Sequence, residues 1–424
     1  MELRYPCCCG LDVHKNAVVA CLLRTVTAGV RSTEIRTFGT TTAELEKLGT
    51  WLHEAGCTHA AMESTGVLGK PGHNVLTEAA YGLDVRVANA RHVRGMPGRK
   101  TDVGDAEWIA ALLQHGLLKP SFIPDRAQRE LRDLTRTRTS LIDERSAAVK
   151  RLQKVLEDAN IKPSGVATDV MGVSGRAILA ALLAGTTDPA VLAELARGEL
   201  RAKIPQLEQA LAGRMRDHHR GLVALHLSHV AFLDAAIDAL SAQVAEKTRP
   251  FEAELRRLET IPGVKRRTAE VLAAEIGLTM APFPTARHLA SWAGMAQGNN
   301  ASAGKRKGAK TRKGSKWLRR ALVEAARAAA RTKQPGRTAC ADQDRRLVVR
   351  TGPKKAAVAV GHAIAITAYD LLTRQTTYHQ GDPVPIDERR RARIRQRALH
   401  QLAALGYHVT ITPTPTQNPR PEVA

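Results

Sequence analysis

The chain is 424 residues long, 43% hydrophobic and only 3% aromatic, with 64 Lys and Arg against 41 Asp and Glu, a formal net charge of +23. That length predicts two or three domains, and that charge, with a pI near 10.3, exceeds what solubility needs and points to a polyanion, either nucleic acid or an anionic membrane surface. So few aromatics exclude a binding mode built on rows of base-stacking rings and favour Lys and Arg contacts to phosphates.

No uninterrupted apolar run reaches the roughly 18 residues of a membrane span. The start, MELRYPCCCGLDV, lacks the basic, apolar and small-residue regions of a signal peptide. A cytoplasmic, nucleoid-associated protein with no membrane partner is expected. The cysteines are Cys7, Cys8, Cys9, Cys21, Cys57 and Cys340. None forms a C-x-x-C pair, so zinc ligation and a disulfide framework are not expected, and the thiols read as small buried hydrophobes.

In chain order, Cys7 to Val13 and Ala17 to Leu23 are short apolar runs joined by the polar turn His14-Lys15-Asn16, and Glu34 to Phe38 is a third strand. Leu45, Leu48 and Leu52 give Thr42 to Ala55 helical spacing. His59 to Met62 and Val85 to Ala88 are further strands, with helices predicted near Asn74 to Ala80 and from Asp105 to Leu117. Such an order builds a mixed sheet flanked by helices. From Asp125 the texture changes: Leu134, Leu141, Ala148 and Val155 are seven apart, predicting a long amphipathic helix with coiled-coil character. After shorter helices, Val230, Leu233, Ile237, Leu240 and Val244 predict a second long helix. The two can form an antiparallel pair or a dimer interface.

The stretch LETIPGVKRRTAEVLAAEI (258–276) resembles a helix-hairpin-helix, whose turn at Gly263 can present backbone amides to a phosphate. Pro353 to Leu372 is an apolar helix, and the tail from about Gln375 is polar and Arg-rich. The chain therefore divides into 1–124 (α/β), 125–254 (long helices and oligomerisation), 255–375 (mainly α) and a basic tail, 376–424.

Four carboxylates stand at telling places. Asp12 ends the first strand, Glu63 ends THAAME, and Asp102 and Asp105 open the helix of RKTDVGDAEWIA, three apart on one helical face. Each alone reads as a cap or turn residue. Together, in so basic a chain, they make an all-oxygen site suited to Mg²⁺ or Mn²⁺, because clustered carboxylates without a cation are costly. Between 305 and 320 lie Lys305, Arg306, Lys307, Lys310, Arg312, Lys313, Lys316, Arg319 and Arg320, interleaved with glycines that admit a close phosphate. Just before them, GNNASAG holds Ser302, a weak nucleophile unless a base, a metal or a positive field activates it. Spacing alone does not separate Ser302 from Ser291 or Ser315.

These segments together resemble a family. LDVHKN (11–16), MESTGV (62–67) and ARHVRGMPGRKTDVGDAEWIA (90–110) look like the N-terminal half of the DEDD-type insertion-sequence transposases, which include the Piv-type DNA invertases and the bridge-RNA-guided recombinases. IPGV (261–264), LASWAGMAQGNNASAGKRKGAKTRKGSKWLR (289–319) and PKKAAVAVGHAI (353–364) resemble the second half. One local departure is VLGKPGHNVL after the glutamate, where the pattern expects an aromatic residue. The resemblance implies an RNase H-like (RuvC-like) first domain with Asp12, Glu63, Asp102 and Asp105 as metal ligands. It also implies a coiled-coil linker and a C-terminal transposase domain with Ser302 as nucleophile. The partners it implies are target and donor DNA, a structured noncoding bridge RNA, and further copies of the chain, dimers pairing into a tetramer with composite sites. Two other classes remain: a structure-selective nuclease using the carboxylates with water, and a non-catalytic nucleic-acid-binding protein.

Overall fold

The computed structural model describes residues 3–26, 30–64, 66–77, 80–90, 93, 104–298, 300–302, 305–308, 310–331, 339–379 and 388–407. It divides into two compact units, Met1–Asp125 and Arg126–Ala424.

The first unit is built on strands Cys7–Val13 (β1), Ala17–Val26 (β2), Val30–Gly39 (β3), His59–Glu63 (β4) and Asp84–Ala88 (β5), in the sheet order β3-β2-β1-β4-β5. β1, β2 and β3 form an antiparallel meander, and β4 and β5 extend it from β1 as parallel strands. The result is a five-stranded mixed sheet. The period of two in β1 sorts its residues cleanly. Cys9, Leu11 and Val13 join the core formed with Thr42–Glu54 (α1) and Gly69–Leu76 (α2), through Leu45, Leu48, Leu52 and Leu76. Cys8 faces the other way, against Ala106, Ile109, Ala110 and Leu113 of Gly104–Gln114 (α3). Both faces are thus covered by helices.

The helix predicted near Asn74 to Ala80 lies earlier, at Gly69–Leu76, and residues 78–79 are outside the described ones. Gly69, Pro71 and Gly72 hid it. Pro71 is tolerated because the first-turn N–H groups have no intrahelical acceptor to lose. The cysteines are free, all buried except the half-buried Cys7. A hydrogen bond from Cys57, aided by Arg24, draws the Cys7 thiol down to about 7 against the opposing effect of its burial.

The second unit is mainly helical. Arg126–Asp158 (α4) and Asp217–Thr248 (α8) pair along their length. Glu130 with Lys247, Arg145 with Asp234 and Asp158 with His219 show that they run antiparallel. Of the two arrangements the sequence allows, the chain makes the antiparallel pair with itself. Val173–Leu183 (α5), Pro189–Glu194 (α6) and Ile204–Leu211 (α7) cap one end around a core of Leu152, Leu156, Ile178, Leu192, Leu207 and Val223. Beyond α8 come Glu252–Glu259 (α9), Arg266–Ile276 (α10) and Ala286–Trp292 (α11), then a two-stranded hairpin of Asn300–Ser302 (β6) and Lys305–Gly308 (β7). Lys316–Arg331 (α12), Ala339–Thr351 (α13), Pro353–Arg374 (α14) and Glu388–Ala404 (α15) complete it. By length and composition α14 and the segment from α8 to α9 could each cross a bilayer. In the fold α14 buries Val360, Ile364, Ala368 and Leu371, while α8 lays Val223, Val230, Leu233 and Ile237 toward the core.

A buried ion pair ties the long helices to α10. Arg138 of α4 meets Glu270 of α10 at 2.8 Å, with side chains 3% and 5% exposed. Beside it Arg136 holds Glu275 through Nε and Nη2 at 2.7 and 2.9 Å. Arg132 donates to the Ala274 and Glu275 carbonyls, and burial draws its guanidinium down to about 10, still charged at neutral pH.

Candidate functional site

The carboxylates of the first unit are placed by strand geometry. Gly10 lies so close to α3 that a Cβ there would stand 2.0 Å from the Ala106 carbonyl oxygen and 2.4 Å from the Ala110 nitrogen. The glycine lets α3 sit flush on β1. Cys8 meets Ala110 through Sγ, and Gly10 meets Ala110 and Ala106, so chain and helix run in opposite senses. Two residues after Gly10, Asp12 faces the same side, level with the first turn of α3, which holds Asp105.

Glu63 arrives by the same logic. The parallel register pairs Gly10 with Ala61 and Leu11 with Met62. Asp12 and Glu63 follow at the next step, on adjacent strands roughly 4.8 Å apart. Ala61 belongs to the α3 face, and Glu63, two residues on, shares it. Glu63 also pairs with Ala88 of β5, whose carbonyl accepts from the Ser64 amide at 2.9 Å. Strand register thus puts Asp12 and Glu63 at the end of the sheet toward the first turn of α3, which holds Asp105. Asp102 lies outside the described residues. His14 Nε2 stands 3.0 Å from Asp12 Oδ2, with Asp12 16% exposed, so one Asp12 oxygen already has a partner at the rim. The donor set is hard oxygen, which fits Mg²⁺ or Mn²⁺ rather than a thiophilic ion.

Ser302 belongs to the second unit, on the β6–β7 hairpin, where it pairs with Lys305. For residues 300–302 and 305–308, which include Lys305, Arg306 and Lys307, the description extends to the backbone pairing alone. The root of the hairpin is tightly held. Gln297 bridges Thr311, the Gly298 amide donates to the Lys310 carbonyl at 3.0 Å, and the Arg312 amide donates to that of Ala296 at 3.2 Å. Gly294 and Gly314 cross so closely that a Cβ on Gly314 would lie 2.3 Å from the Gly294 nitrogen. Arg319 Nη1 donates to Thr311 Oγ1 at 2.7 Å. The two other candidate serines are bound into this root. Ser291 Oγ accepts from Arg312 at 3.3 Å, and Ser315 donates to the buried Glu275 at 2.8 Å while accepting from the Leu318 amide. Lys310, Arg312, Lys313 and Lys316 are exposed around the root.

Gly263 takes φ +83 in the turn between α9 and α10. A Cβ there would lie 2.1 Å from the Ala325 carbonyl of α12. Packing therefore demands glycine at this place whether or not the turn meets a phosphate.

One cluster escaped the sequence reading. Ligand atoms of Asp158, His218 and His219 lie within 4.8 Å of one another. His219 Nδ1 accepts from the Arg216 amide at 3.2 Å, so Nε2 carries the proton and donates to Asp158 at 2.8 Å. That tautomer leaves no lone pair on His219 for a cation, and the group caps α8 instead. The same bond holds the Asp158 carboxyl below the usual range.

Comparison with known proteins gives the frame for both sites. The family model for the DEDD transposases of the IS110 type matches residues 9–161, and that of the transposase IS116/IS110/IS902 family matches residues 255–340, together more than half of the chain. The chain belongs to the IS110-type DEDD transposases. A Pseudomonas aeruginosa protein described as a "Probable family 20 transposase" is 25% identical over 285 residues, covering 67% of this chain and 75% of its own. Among solved structures, that of Thermus thermophilus RuvC is matched over 27% of this chain and 99% of that one, at 13% identity and a TM-score of 0.22. In this transposase the first matched segment contains Asp12, Glu63 and Asp105 with the sheet that positions them, and the second contains Ser302 and the whole hairpin. Residues 162–254 and everything beyond 340 fall outside both.

Proposed function

We propose that the chain is a DNA transposase that cuts and rejoins strands through a covalent phosphoserine at Ser302. What supports the reading is the chain's place in this transposase family, together with a strand register that puts Asp12 and Glu63 on adjacent parallel strands at the end of the sheet toward the first turn of α3, which holds Asp105. Asp12, Glu63, Asp105 and Asp102 would hold Mg²⁺ or Mn²⁺, which when bound supplies Lewis-acid polarisation of a phosphodiester. The Ser302 oxygen attacks phosphorus, the P–O bond to one deoxyribose breaks, and the departing oxygen takes up the proton the serine gives up. The new phosphoserine ester retains the bond energy, so a DNA hydroxyl can reverse the step on a new strand without a nucleotide cofactor. Lys305, Arg306, Lys307, Lys310, Arg312, Lys313 and Lys316 neutralise the phosphates that approach, and the amides near Gly263 contact one more.

The same reading has an element-encoded bridge RNA pairing with target and donor DNA, and copies of the chain assembling as a dimer of dimers at the nucleoid, one copy's carboxylates serving another's serine. Support for assembly comes from α8. It exposes Leu222, Leu225 and Phe232, at 43%, 63% and 68%, three apolar side chains without cover along one helix.

The test is strand cleavage of DNA carrying the element's ends, in Mg²⁺. Ser302→Ala is expected to lose the covalent protein–DNA species and strand rejoining while still binding DNA. Asp12→Asn is expected to lose both at any Mg²⁺ concentration. Undiminished cleavage by Ser302→Ala would replace this reading with a nuclease that uses water.

A further inference from the structure

The last helix, α15, lies beyond both matched segments, the second of which ends at residue 340. Six of its nine residues from 389 to 397 are arginine: Arg389, Arg390, Arg391, Arg393, Arg395 and Arg397, with Glu388 the only acid of the helix. Among its described side chains none is buried: Arg395 and Arg397 are exposed, and only Leu399 is half-buried. A 17-residue helix with no buried side chain among its described residues gains little from packing there, and isolated helices of that order are marginal in water. Its charges work against it. Arg389, Arg393 and Arg397 follow one another at i, i+4 and i+8, a row of like charges. The same cations crowd the N-terminal turns, where the helix dipole is already positive. An anion along that stretch would remove both penalties.

The density of charge says which anion. From Arg389 to Arg397 the helix rises about 12 Å and carries six cations, one per roughly 2 Å, close to the one negative charge per about 1.7 Å of axis on duplex DNA. The distribution around the helix selects the shape of the partner. An in-plane membrane helix needs an unbroken apolar face, and Arg391 and Arg395 interrupt the face that Ile394, Ala398 and Leu402 would make. Cations on several faces suit a groove with phosphates on both walls. The major groove of B-DNA, about 12 Å wide, admits an α-helix, whereas that of duplex RNA is deep and narrow.

We propose that α15 is a separate duplex-DNA-binding arm that seats in the major groove through its arginine stretch, independently of the hairpin that carries Ser302. The inference rests on the reading that this chain acts on DNA. It does not depend on the chemistry of Ser302.

The experiment measures binding, not strand transfer. The full-length chain and its Arg393→Gln/Arg395→Gln/Arg397→Gln variant are titrated onto a labelled duplex of arbitrary sequence, without divalent metal, between about 50 and 200 mM salt. Glutamine keeps the helix propensity, and far-UV circular dichroism checks that both fold. The variant should lose affinity about tenfold at the low-salt end, with the slope of log K against log salt shallower by about 2 to 3. An unchanged slope, or a loss seen only with duplex RNA or with anionic vesicles, overturns the proposal. If the variant behaves as stated while wild type forms no Ser302 adduct, the phosphoserine reading fails and the arm stands.

Discussion

At the scale of single residues, the carboxylate site depends on an atom that is missing. Gly10 has no Cβ, and that absence lets α3, with Asp105 in its first turn, sit on β1. Gly10→Ala should push α3 away, because the obstacle is the helix backbone rather than a flexible side chain. We expect a loss of about 1–3 kcal/mol in denaturant unfolding, the usual cost of overpacking, with metal-dependent cleavage falling further than stability alone accounts for. Unchanged stability would show that α3 does not sit flush on the strand. The strand ends on which Asp12 and Glu63 stand were legible in the sequence because apolar alternation gives way there to polar turns. Gly10 was not, because a glycine required by a helix about a hundred residues away has no local signature. Ser302 stood apart from Ser291 and Ser315 only through the family resemblance. What the fold adds is that those two serines are bound into the hairpin root.

At the scale of elements, the basic hairpin is only as well placed as its root. Glu275 joins Ser315 at that root to Arg136 on α4, and Glu270 joins α10 to Arg138. Removing one member of a buried pair leaves the other charge uncompensated. Glu270→Ala is therefore expected to cost about 3–5 kcal/mol, visible as a lower midpoint in thermal or denaturant unfolding. Replacing Arg138 and Glu270 together with Met and Leu should recover most of it, and a double variant as unstable as the single would contradict the account. These ties were invisible in sequence, since partners 40 to 139 residues apart leave no periodic trace. The long helices were visible for the opposite reason: α4 and α8 repeat their apolar residues over many turns. Helix α2 was displaced in the reading because Gly69, Pro71 and Gly72 look like a loop.

At the scale of the whole molecule, a family segment on either side frames a helical region that neither covers, residues 162–254. Its α8 buries one apolar stripe and exposes another. If that second stripe joins copies of the chain, Leu225→Glu with Phe232→Glu should lower the oligomeric mass in sedimentation without reducing helicity, since both side chains are exposed. An unaltered mass would place the interface elsewhere. The mixed sheet with helices on both faces was legible from the order of strands and helices. The β6–β7 hairpin was not, because a short run of Lys, Arg and Gly carries no alternation.

The central claim, that Ser302 becomes esterified to DNA, is tested most directly on the intermediate itself. Wild-type protein is reacted with a nicked DNA that traps the cleaved end, digested with protease and nuclease, and the nucleotide-bearing peptide is sequenced by mass spectrometry. The account predicts a single phosphodiester adduct on Ser302, lost in Asp12→Asn. An adduct on Ser291 or Ser315, or cleavage with no adduct at all, would contradict it.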